Sequence, residues 1–318
     1  MKLIIQIPCL NEAETLPQTI ADLPKKIDGI DEIEYLVIDD GSTDGTAEVA
    51  SRCGAHHVVR MGSNRGLARA FSAGVDRAME LGADIVVNTD ADNQYCGADI
   101  PLLVAPVAEN KADIVVGCRP ILEHPEFGPV KKFLQLCGSM ALRWISKTTV
   151  RDAPSGFRAF SRNACQRIFI HSRFSCCMET LVQAGANGMR VSSVDIRVNP
   201  QTRPSRLFKN IPQYLKKTGS TMLLMFLLYS PGRFFSLCAA PFFAVSLFFA
   251  LRFLWLIYLS PAPLPYGRTH LPSLILMATS AFIGVLLLAL GILGMLMQAN
   301  RRLAEEQLYL ARRNFLQK

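Results

Sequence analysis

The stretch of sequence that decides the fold is IVVNTDADNQ, at residues 85–94. It opens as an apolar, β-branched run, which is typical of a buried strand, and then turns abruptly polar and acidic. Alternate residues of an extended segment face the same side, so the carboxylates of Asp90 and Asp92 can converge on one hard divalent cation. A polar loop after a strand would show the same pattern, and the rest of the chain must decide between the two interpretations.

The chain around this stretch alternates between short apolar runs and helical patterns. This alternation predicts an α/β fold, in which a mostly parallel sheet has helices on both faces. Ligands of such sheets bind at the carboxyl ends of the strands, where we expect the polar motifs of the chain to line one crevice. The predicted strands are 2–7, 35–39, 57–60, 85–89 and 113–117, and the predicted helices are 11–26 with Asn11 as N-cap, one from Asp44, 67–81 and one from Pro101.

The character of the chain changes near residue 200. The net charge is +8, yet no acidic residue occurs between Asp195 and Glu305. Residues 203–217 combine basic side chains with apolar ones at near-helical spacing, which predicts an interfacial helix on anionic membrane lipids. Nucleic-acid binding would also explain the charge, but the position beside apolar segments favours a membrane and no nucleic acid. The nine cysteines show no zinc-site spacing and are predicted to be reduced thiols.

Two long apolar runs follow, at 234–259 and 272–297. As helices each would measure about 39 Å, against a hydrocarbon core of about 30 Å, so both can span a bilayer. Lys and Arg are concentrated before the first span and after the second. This distribution predicts an integral membrane protein with the catalytic domain and both termini in the cytoplasm. The predicted organisation is a catalytic domain at 1–200, interfacial helices at 201–232, the spans within 233–299, and a cytoplasmic tail at 300–318, a short charged helix that is a candidate homo-oligomer contact.

Four motifs in this order resemble the family 2 glycosyltransferases of the GT-A fold. They are IPCLNE at 7–12, VIDDGSTDGT at 37–46, NRGL at 64–67 and DADNQ at 90–94. The two spans and SGFRAF at 155–160 resemble the subgroup that glycosylates polyprenyl phosphates. The resemblance implies a GT-A nucleotide-sugar-binding domain, followed by interfacial helices and two transmembrane helices. It also implies inverting, metal-dependent transfer of one sugar from a nucleotide diphosphate sugar to polyprenyl phosphate.

The resemblance implies roles for individual residues on the donor side. Asp90, Asp92 and Gln94 would hold Mg²⁺ or Mn²⁺, which bridges the donor diphosphate, and Asp92 would be catalytic. Asp40 would contact the base or ribose, whereas Asp39 is better explained as support for the strand end. The remaining residues implied to line the donor are Pro8, Leu10, Asn11, Glu12, Asn64, Gly66 and Ala91.

The acceptor side needs cations, because two phosphorylated substrates repel each other. Arg119, Arg203 and Arg206 are the candidate phosphate ligands, since a guanidinium binds phosphate bidentately. Lys131 or Lys132 could serve as well. Asp152 resembles an acidic residue that acts as base or acceptor positioner in the family, and a loop cap is the alternative. Polyprenyl phosphate is already an anion and needs no strong base to attack the anomeric carbon.

Two other functions stay open from the sequence. One is transfer to a different membrane lipid, such as diacylglycerol, whose hydroxyl would need a true base. The other is a non-catalytic, membrane-anchored subunit that binds nucleotide sugar. A processive polysaccharide synthase is disfavoured, because Met140 stands where the Gln of the Gln-x-x-Arg-Trp motif would be, before Arg143 and Trp144.

Overall fold

The computed structural model describes residues 1–120, 129–170, 176–200, 211–258 and 271–315. These residues form two compact units. The first comprises Met1–Met222 together with Glu305–Lys318, and the second comprises Leu223–Ala304.

The first unit is built on a seven-stranded sheet with the order β3-β2-β1-β4-β6-β5-β7. Every neighbouring pair is parallel except those that β6 makes with β4 and β5. The predicted α/β fold with a mostly parallel sheet is thus confirmed. The strands are β1 (Lys2–Cys9), β2 (Glu32–Asp39), β3 (His57–Arg60), β4 (Ile85–Asn88), β5 (Ile114–Cys118), β6 (Arg158–Ser161) and β7 (Val191–Asp195).

The helices of the chain cover both faces of this sheet and continue beyond it. On one face α1 and α4 contribute Leu16 and Leu103 to the core that contains Leu3 and Val87. On the other face α3 packs against β1 and β2. The helices are α1 (Leu16–Ala21), α2 (Thr46–Arg52), α3 (Leu67–Glu80), α4 (Ile100–Ala108), α5 (Pro129–Ser146), α6 (Arg162–Arg167), α7 (Cys176–Ala186), α8 (Ile211–Tyr229), α9 (Pro231–Tyr258) and α10 (Leu271–Phe315).

The prediction that Asn11 caps a long first helix is wrong. Asn11 has a φ of 55°, in the left-handed region that asparagine tolerates better than most residues. Its Oδ1 accepts a hydrogen bond from the backbone N–H of Thr43 at 2.8 Å, so the side chain holds the turn after β2 and does not cap a helix. The first helix begins only at Leu16 and is much shorter than the predicted 11–26.

The second unit contains two helices long and apolar enough to cross a membrane, within α9 and α10. Few of their side chains are buried within the protein, as expected of helices that face lipid. Gly284, Gly291 and Gly294 lie against Phe243, Phe235 and Pro231 of α9, which lets the two helices approach closely. The apolar surface of this unit is that of a membrane protein.

The ends of the membrane helices differ from the sequence-based expectation. α8 joins the end of the basic segment to the apolar residues before Pro231 in one helix, and residues 201–210 lie outside the described ranges. The tail is not a separate helix, because α10 continues without a break to Phe315. Within the first unit Arg312 donates to Asp76 of α3 at 2.8 Å and stacks over Phe169.

Candidate active site

The carboxyl ends of β1, β2 and β4 lie side by side. Cys9 at the end of β1 is in register with Asp39 at the end of β2, and Gln6 is in register with Asn88 at the end of β4. The loops that leave these strands therefore meet at one edge of the sheet. This is the crevice that the sequence predicted for the polar motifs.

The loop after β4 brings two carboxylates together. Burial and the negative charge of Asp92 raise the pKa of Asp90 to about 7, and the nearby Arg119 guanidinium partly opposes the shift. Two carboxylates that repel each other in this way are a donor set suited to a hard divalent cation, whose charge would remove the repulsion. In the described ranges, no group of three or more His, Cys, Asp or Glu side chains could hold a metal. Such an ion would need further oxygen ligands from Gln94 and a bound diphosphate.

The backbone of this loop is fixed from outside. Asn93 adopts a left-handed φ of 54° and donates to the Asp22 carboxylate at 2.8 Å. Asn199, which follows β7, donates its backbone N–H to the carbonyl of Gln94 at 2.9 Å. Ala91 was expected at the donor, but its side chain packs in the hydrophobic core and its carbonyl accepts from Thr19. The loop geometry is therefore imposed by neighbouring elements.

Hydrogen bonds that the sequence did not predict fix the surroundings of Asp90. Gln6 and Asn88 are hydrogen-bonded inside the sheet at 2.9 Å, and Asn88 donates to the carbonyl of Gly156 at 2.8 Å. A side-chain carbon at Gly156 would lie 3.2 Å from an oxygen of Asp90, so this glycine gives the carboxylate its space. A lone Gln6 within an otherwise apolar strand was the available signal. The Gly156 backbone N–H also donates to the Tyr95 hydroxyl.

Four of the residues implied to line the donor lie close together in the sequence, at the end of β1. Pro8 is buried within β1 and Leu10 is partly exposed just beyond it. Glu12 is buried, and its carboxylate accepts from the hydroxyl of Thr15 at 2.8 Å. Asn11 holds the turn after β2, as described above. All four residues lie at the carboxyl end of β1, and the backbone N–H of Glu12 also bonds the Thr46 hydroxyl that begins α2.

Asp40 has a structural position that the sequence did not reveal. One oxygen accepts from the backbone N–H of Arg65 and the other from that of Gly66, both at 2.8 Å. The carboxylate therefore anchors the loop of Asn64 and Gly66, two of the residues implied to line the donor. Asp39 behaves as the expected strand-end support, since it accepts from the backbone N–H of Ser42 at 2.8 Å.

Gly41 passes very close to this loop. Its φ is 78°, and a side-chain carbon there would lie 2.7 Å from the backbone N of Asn64 and from the carbonyl carbon of Ser63. We expect Gly41→Ala to lower the melting temperature of the detergent-solubilised protein, because it combines left-handed backbone strain with a backbone clash. The strain costs about 1–2 kcal/mol and the overpacking about 1–3 kcal/mol more.

Gly29→Ala is the matched control for this prediction. Gly29 has nearly the same φ, 80°, but nothing lies within 4 Å of the position that its side-chain carbon would take. This variant carries only the backbone strain, so its melting temperature should fall by roughly 2–4 °C per kcal/mol, and Gly41→Ala should fall markedly further. Equal melting temperatures would mean that the loop yields to the added carbon.

The cationic side of the crevice is an ion pair between the buried Asp152 and the partly exposed Arg119. Asp152 is 0% exposed, and its two oxygens accept from Nε and Nη2 of Arg119 at 2.7 and 3.0 Å. Burial acts to lower the pKa of Arg119, but the neighbouring Tyr95 and Asp152 raise it by more, so the guanidinium stays charged. Among the described residues no acceptor is bonded to its remaining nitrogen, Nη1. Asp152 was predicted as a catalytic residue, and its geometry is that of a group that orients Arg119.

Arg158 is a fully buried guanidinium near the crevice. It is 2% exposed and donates to the carbonyls of Ala153, Ser155 and Cys177 at 2.6–2.8 Å. It therefore braces the loop between Asp152 and β6 against α7. Arg203 and Arg206 lie outside the described residues, as do the side chains of Lys131 and Lys132.

Comparison with known proteins adds three findings. Residues 4–169 match the model of a protein family described as "Glycosyl transferase family 2". The undecaprenyl-phosphate mannosyltransferase of Micrococcus luteus is 31% identical over 174 residues, which cover 53% of this chain and 70% of the relative. The polyprenol monophosphomannose synthase of Mycolicibacterium smegmatis is 27% identical over 208 residues, which cover 61% of this chain and 76% of the relative.

A solved structure shares the fold at low sequence identity. Glucosyl-3-phosphoglycerate synthase from Mycobacterium tuberculosis, in complex with Mn²⁺, UDP and phosphoglyceric acid, superposes with a TM-score of 0.53 at 21% identity. The match covers 71% of this chain and 77% of that one. Together with the strand-end motifs and the matched residues 4–169, these findings show that the chain belongs to glycosyl transferase family 2.

Proposed function

We propose that this protein transfers one sugar from a nucleotide diphosphate sugar to polyprenyl phosphate at a membrane surface, with inversion at the anomeric carbon. The observation that carries the proposal is the meeting of two carboxylates, Asp90 and Asp92, with the partly buried Arg119 guanidinium at the strand ends of a chain that has two membrane-length helices. The names of the two relatives, which mention undecaprenyl phosphate and polyprenol, support this acceptor class.

The two acids have a defined task on the donor side. Asp90 and Asp92, with Gln94, would hold Mg²⁺ or Mn²⁺, which offsets the negative charge that develops on the nucleoside diphosphate leaving group. The fold neighbour that binds Mn²⁺ with UDP supports such an ion. The turns held by Asn11 and by Asp40 shape the wall along which the base and ribose would lie.

The acceptor side uses charge and not a base. The phosphate oxygen of polyprenyl phosphate attacks the anomeric carbon as the bond to the leaving diphosphate breaks. Arg119, oriented by Asp152, would receive the acceptor phosphate and reduce its repulsion from the donor. Arg203 and Arg206 are proposed to assist it. Diacylglycerol as acceptor would need a free base, and Asp152 is engaged by Arg119.

We also propose the cellular arrangement. Residues 1–200 form the cytoplasmic catalytic domain, 201–232 lie at the membrane interface, 233–299 hold the two spans, and 300–318 return to the cytoplasm. The distribution of Lys and Arg around the spans supports this orientation. Protease accessibility of each terminus in sealed inverted vesicles would test it.

The test of the function is a transfer assay with the full chain in lipid nanodiscs. Labelled nucleotide sugars would be offered with Mn²⁺ and one of four acceptors: polyprenyl phosphate, the same polyprenol without phosphate, diacylglycerol, or phosphoglyceric acid. We expect lipid-extractable label with polyprenyl phosphate alone, and a product whose anomeric configuration by NMR is opposite to that of the donor. Label on diacylglycerol or phosphoglyceric acid, or on no acceptor with any donor, would contradict the proposal.

A further inference from the structure

One helix of the catalytic unit presents large apolar side chains on its outer surface. In α5, Leu136, Met140 and Trp144 are 41%, 59% and 52% exposed. They are spaced four residues apart, so successive side chains turn by only about 40° around the helix and form one stripe. Leu142 and Ile145, on the opposite face of α5, are buried. These three exposed residues are called the α5 stripe below.

The charge around the α5 stripe has one sign. No acidic residue occurs from 127 to 151, whereas this segment contains five basic residues. Lys147 is exposed immediately after the helix ends. An apolar stripe with basic flanks and a tryptophan is the pattern of a helix that lies in the interface of an anionic bilayer.

The two membrane-length helices of the chain also bring the catalytic unit near a bilayer. The apolar surfaces of α9 and α10 require lipid, so the catalytic unit is tethered to a membrane, which raises the effective concentration of lipid around any apolar surface. A contiguous apolar stripe on a soluble face is itself unusual enough to indicate an interaction surface. Lipid is the partner that is always within reach.

The position of α5 in the chain gives this contact a consequence. In the sequence the helix lies between the two members of the crevice ion pair, with Arg119 before it and Asp152 six residues after Ser146. A bilayer contact along α5 would hold both ends of this segment near the lipid head groups. The ion pair would then face the level at which a phosphorylated lipid presents its charge.

We propose that the α5 stripe is a membrane-contact surface of the catalytic unit, and that it inserts into the interface of a bilayer that contains anionic phospholipid. The stripe is separate from the membrane-spanning helices. The inference goes beyond the proposed function, because it does not depend on which donor or acceptor the enzyme uses.

Tryptophan fluorescence tests the proposal directly. The chain has two tryptophans, so Trp255→Phe leaves Trp144 as the one reporter. The full-length variant would be placed in nanodiscs with anionic phospholipid, with either ordinary or brominated acyl chains. We expect blue-shifted emission from Trp144 that is largely lost with bromines near the head group and less affected by bromines deep in the chains.

Two substitutions at the centre of the stripe provide matched controls. Met140→Glu should abolish the quenching of Trp144, because it places a negative charge against anionic lipid, whereas Met140→Lys should retain most of it. A third control moves the reporter, with Arg52→Trp in a chain whose own tryptophans are replaced by phenylalanine. This exposed position at the end of α2 should not be quenched.

The outcomes separate lipid from the other occupants. Blue-shifted emission that brominated lipid does not quench would show that a protein partner or a second copy of the chain covers the stripe, and would overturn the proposal. Emission typical of water, without quenching, would overturn it as well. None of these readouts uses sugar transfer, so failure here is distinguishable from failure of the proposed function.

Discussion

Replacing Asp92 with asparagine is expected to lower kcat/KM for sugar transfer by roughly 1,000-fold, which corresponds to about 4 kcal/mol of lost transition-state stabilisation. The change preserves the shape of the side chain but removes one of the two negative charges proposed to hold the cation. The loss should appear in the transfer assay with every donor that the wild-type protein uses. The melting temperature should change little, because Asp92 is partly exposed at the crevice.

The same variant has a second readout that does not involve turnover. The negative charge of Asp92 is, after burial, the largest cause of the raised pKa of Asp90, about 7. Protons compete with a metal for a carboxylate, so wild-type Mn²⁺ affinity should decrease as the pH falls through about 7. In Asp92→Asn the pKa of Asp90 should decrease, so the residual Mn²⁺ affinity should begin to fall only at a lower pH than in the wild type. Electron paramagnetic resonance of free Mn²⁺ between pH 5 and pH 8 measures both curves.

The raised pKa also fixes how stability depends on pH. The pKa of Asp90 is higher in the folded protein than its ordinary value of 3.8, so the folded state binds more protons between these two values. The contribution of this group to stability is therefore fully present below a pH of 3.8 and is lost as the pH rises through about 7. Mn²⁺ should restore the lost stability, since the bound ion would take the place of the proton on Asp90.

Asp28→Asn serves as the control for the Asp92 variant, because Asp28 is an exposed carboxylate in the loop before β2. It should leave transfer, Mn²⁺ affinity and its pH dependence unchanged. If Asp92→Asn retained wild-type transfer and Mn²⁺ affinity, the carboxylate pair would have no role in catalysis, and the metal-dependent account would have to be abandoned.

The sequence alone predicted that the polar motifs line one crevice, but it did not predict which groups their side chains contact. Asp90 and Asp92 follow an apolar run, and the alternation of an extended strand predicts that both face one ligand. Periodicity assigns a residue to a face and says nothing about which distant group contacts it. Asp40 shows the limit, because its two backbone partners, Arg65 and Gly66, belong to a loop that reaches it only through the parallel pairing of β2 and β3.

The ion pair of Arg119 and Asp152 could not be predicted for a related reason. The two residues are 33 positions apart, on either side of α5. They meet because β6 enters the sheet between β4 and β5 and is antiparallel to both, so the loop before β6 lies at the carboxyl ends of β4 and β5. No local pattern in the sequence specifies that insertion. The hydrogen bond between Gln6 and Asn88 is likewise set by the parallel register of β1 and β4.

Arg119→Lys and Asp152→Asn, measured singly and together, are expected to show strong coupling. Each single variant should lower kcat/KM for polyprenyl phosphate by roughly 100-fold or more, since each disrupts the guanidinium proposed to receive the acceptor phosphate. The double variant should be little worse than either single one, because both changes remove the same oriented charge. The KM for the nucleotide sugar should change much less.

A base role for Asp152 would give a different result. Loss of a base would add to the loss of a phosphate ligand, so the double variant would be worse than either single one by the product of their effects. Stability must be followed in parallel, because removing one member of a buried ion pair costs about 3–5 kcal/mol. Transfer would therefore be measured well below the melting temperature of each variant.

The chain offers a matched pair for this experiment. Arg190 donates its backbone N–H, Nε and Nη2 to Asp113 at 2.9, 3.2 and 3.2 Å, the same three donors that Arg119 gives to Asp152. This second pair lies at the start of β5 and β7, away from the crevice, and its arginine is half exposed. Arg190→Lys and Asp113→Asn should alter stability by no more than about 1 kcal/mol and leave transfer intact. The two pairs share their geometry but not their location. An equal loss of transfer in both would therefore show that the crevice pair acts through folding alone. A loss confined to Arg119 and Asp152 would show that the guanidinium at the strand ends serves the acceptor phosphate.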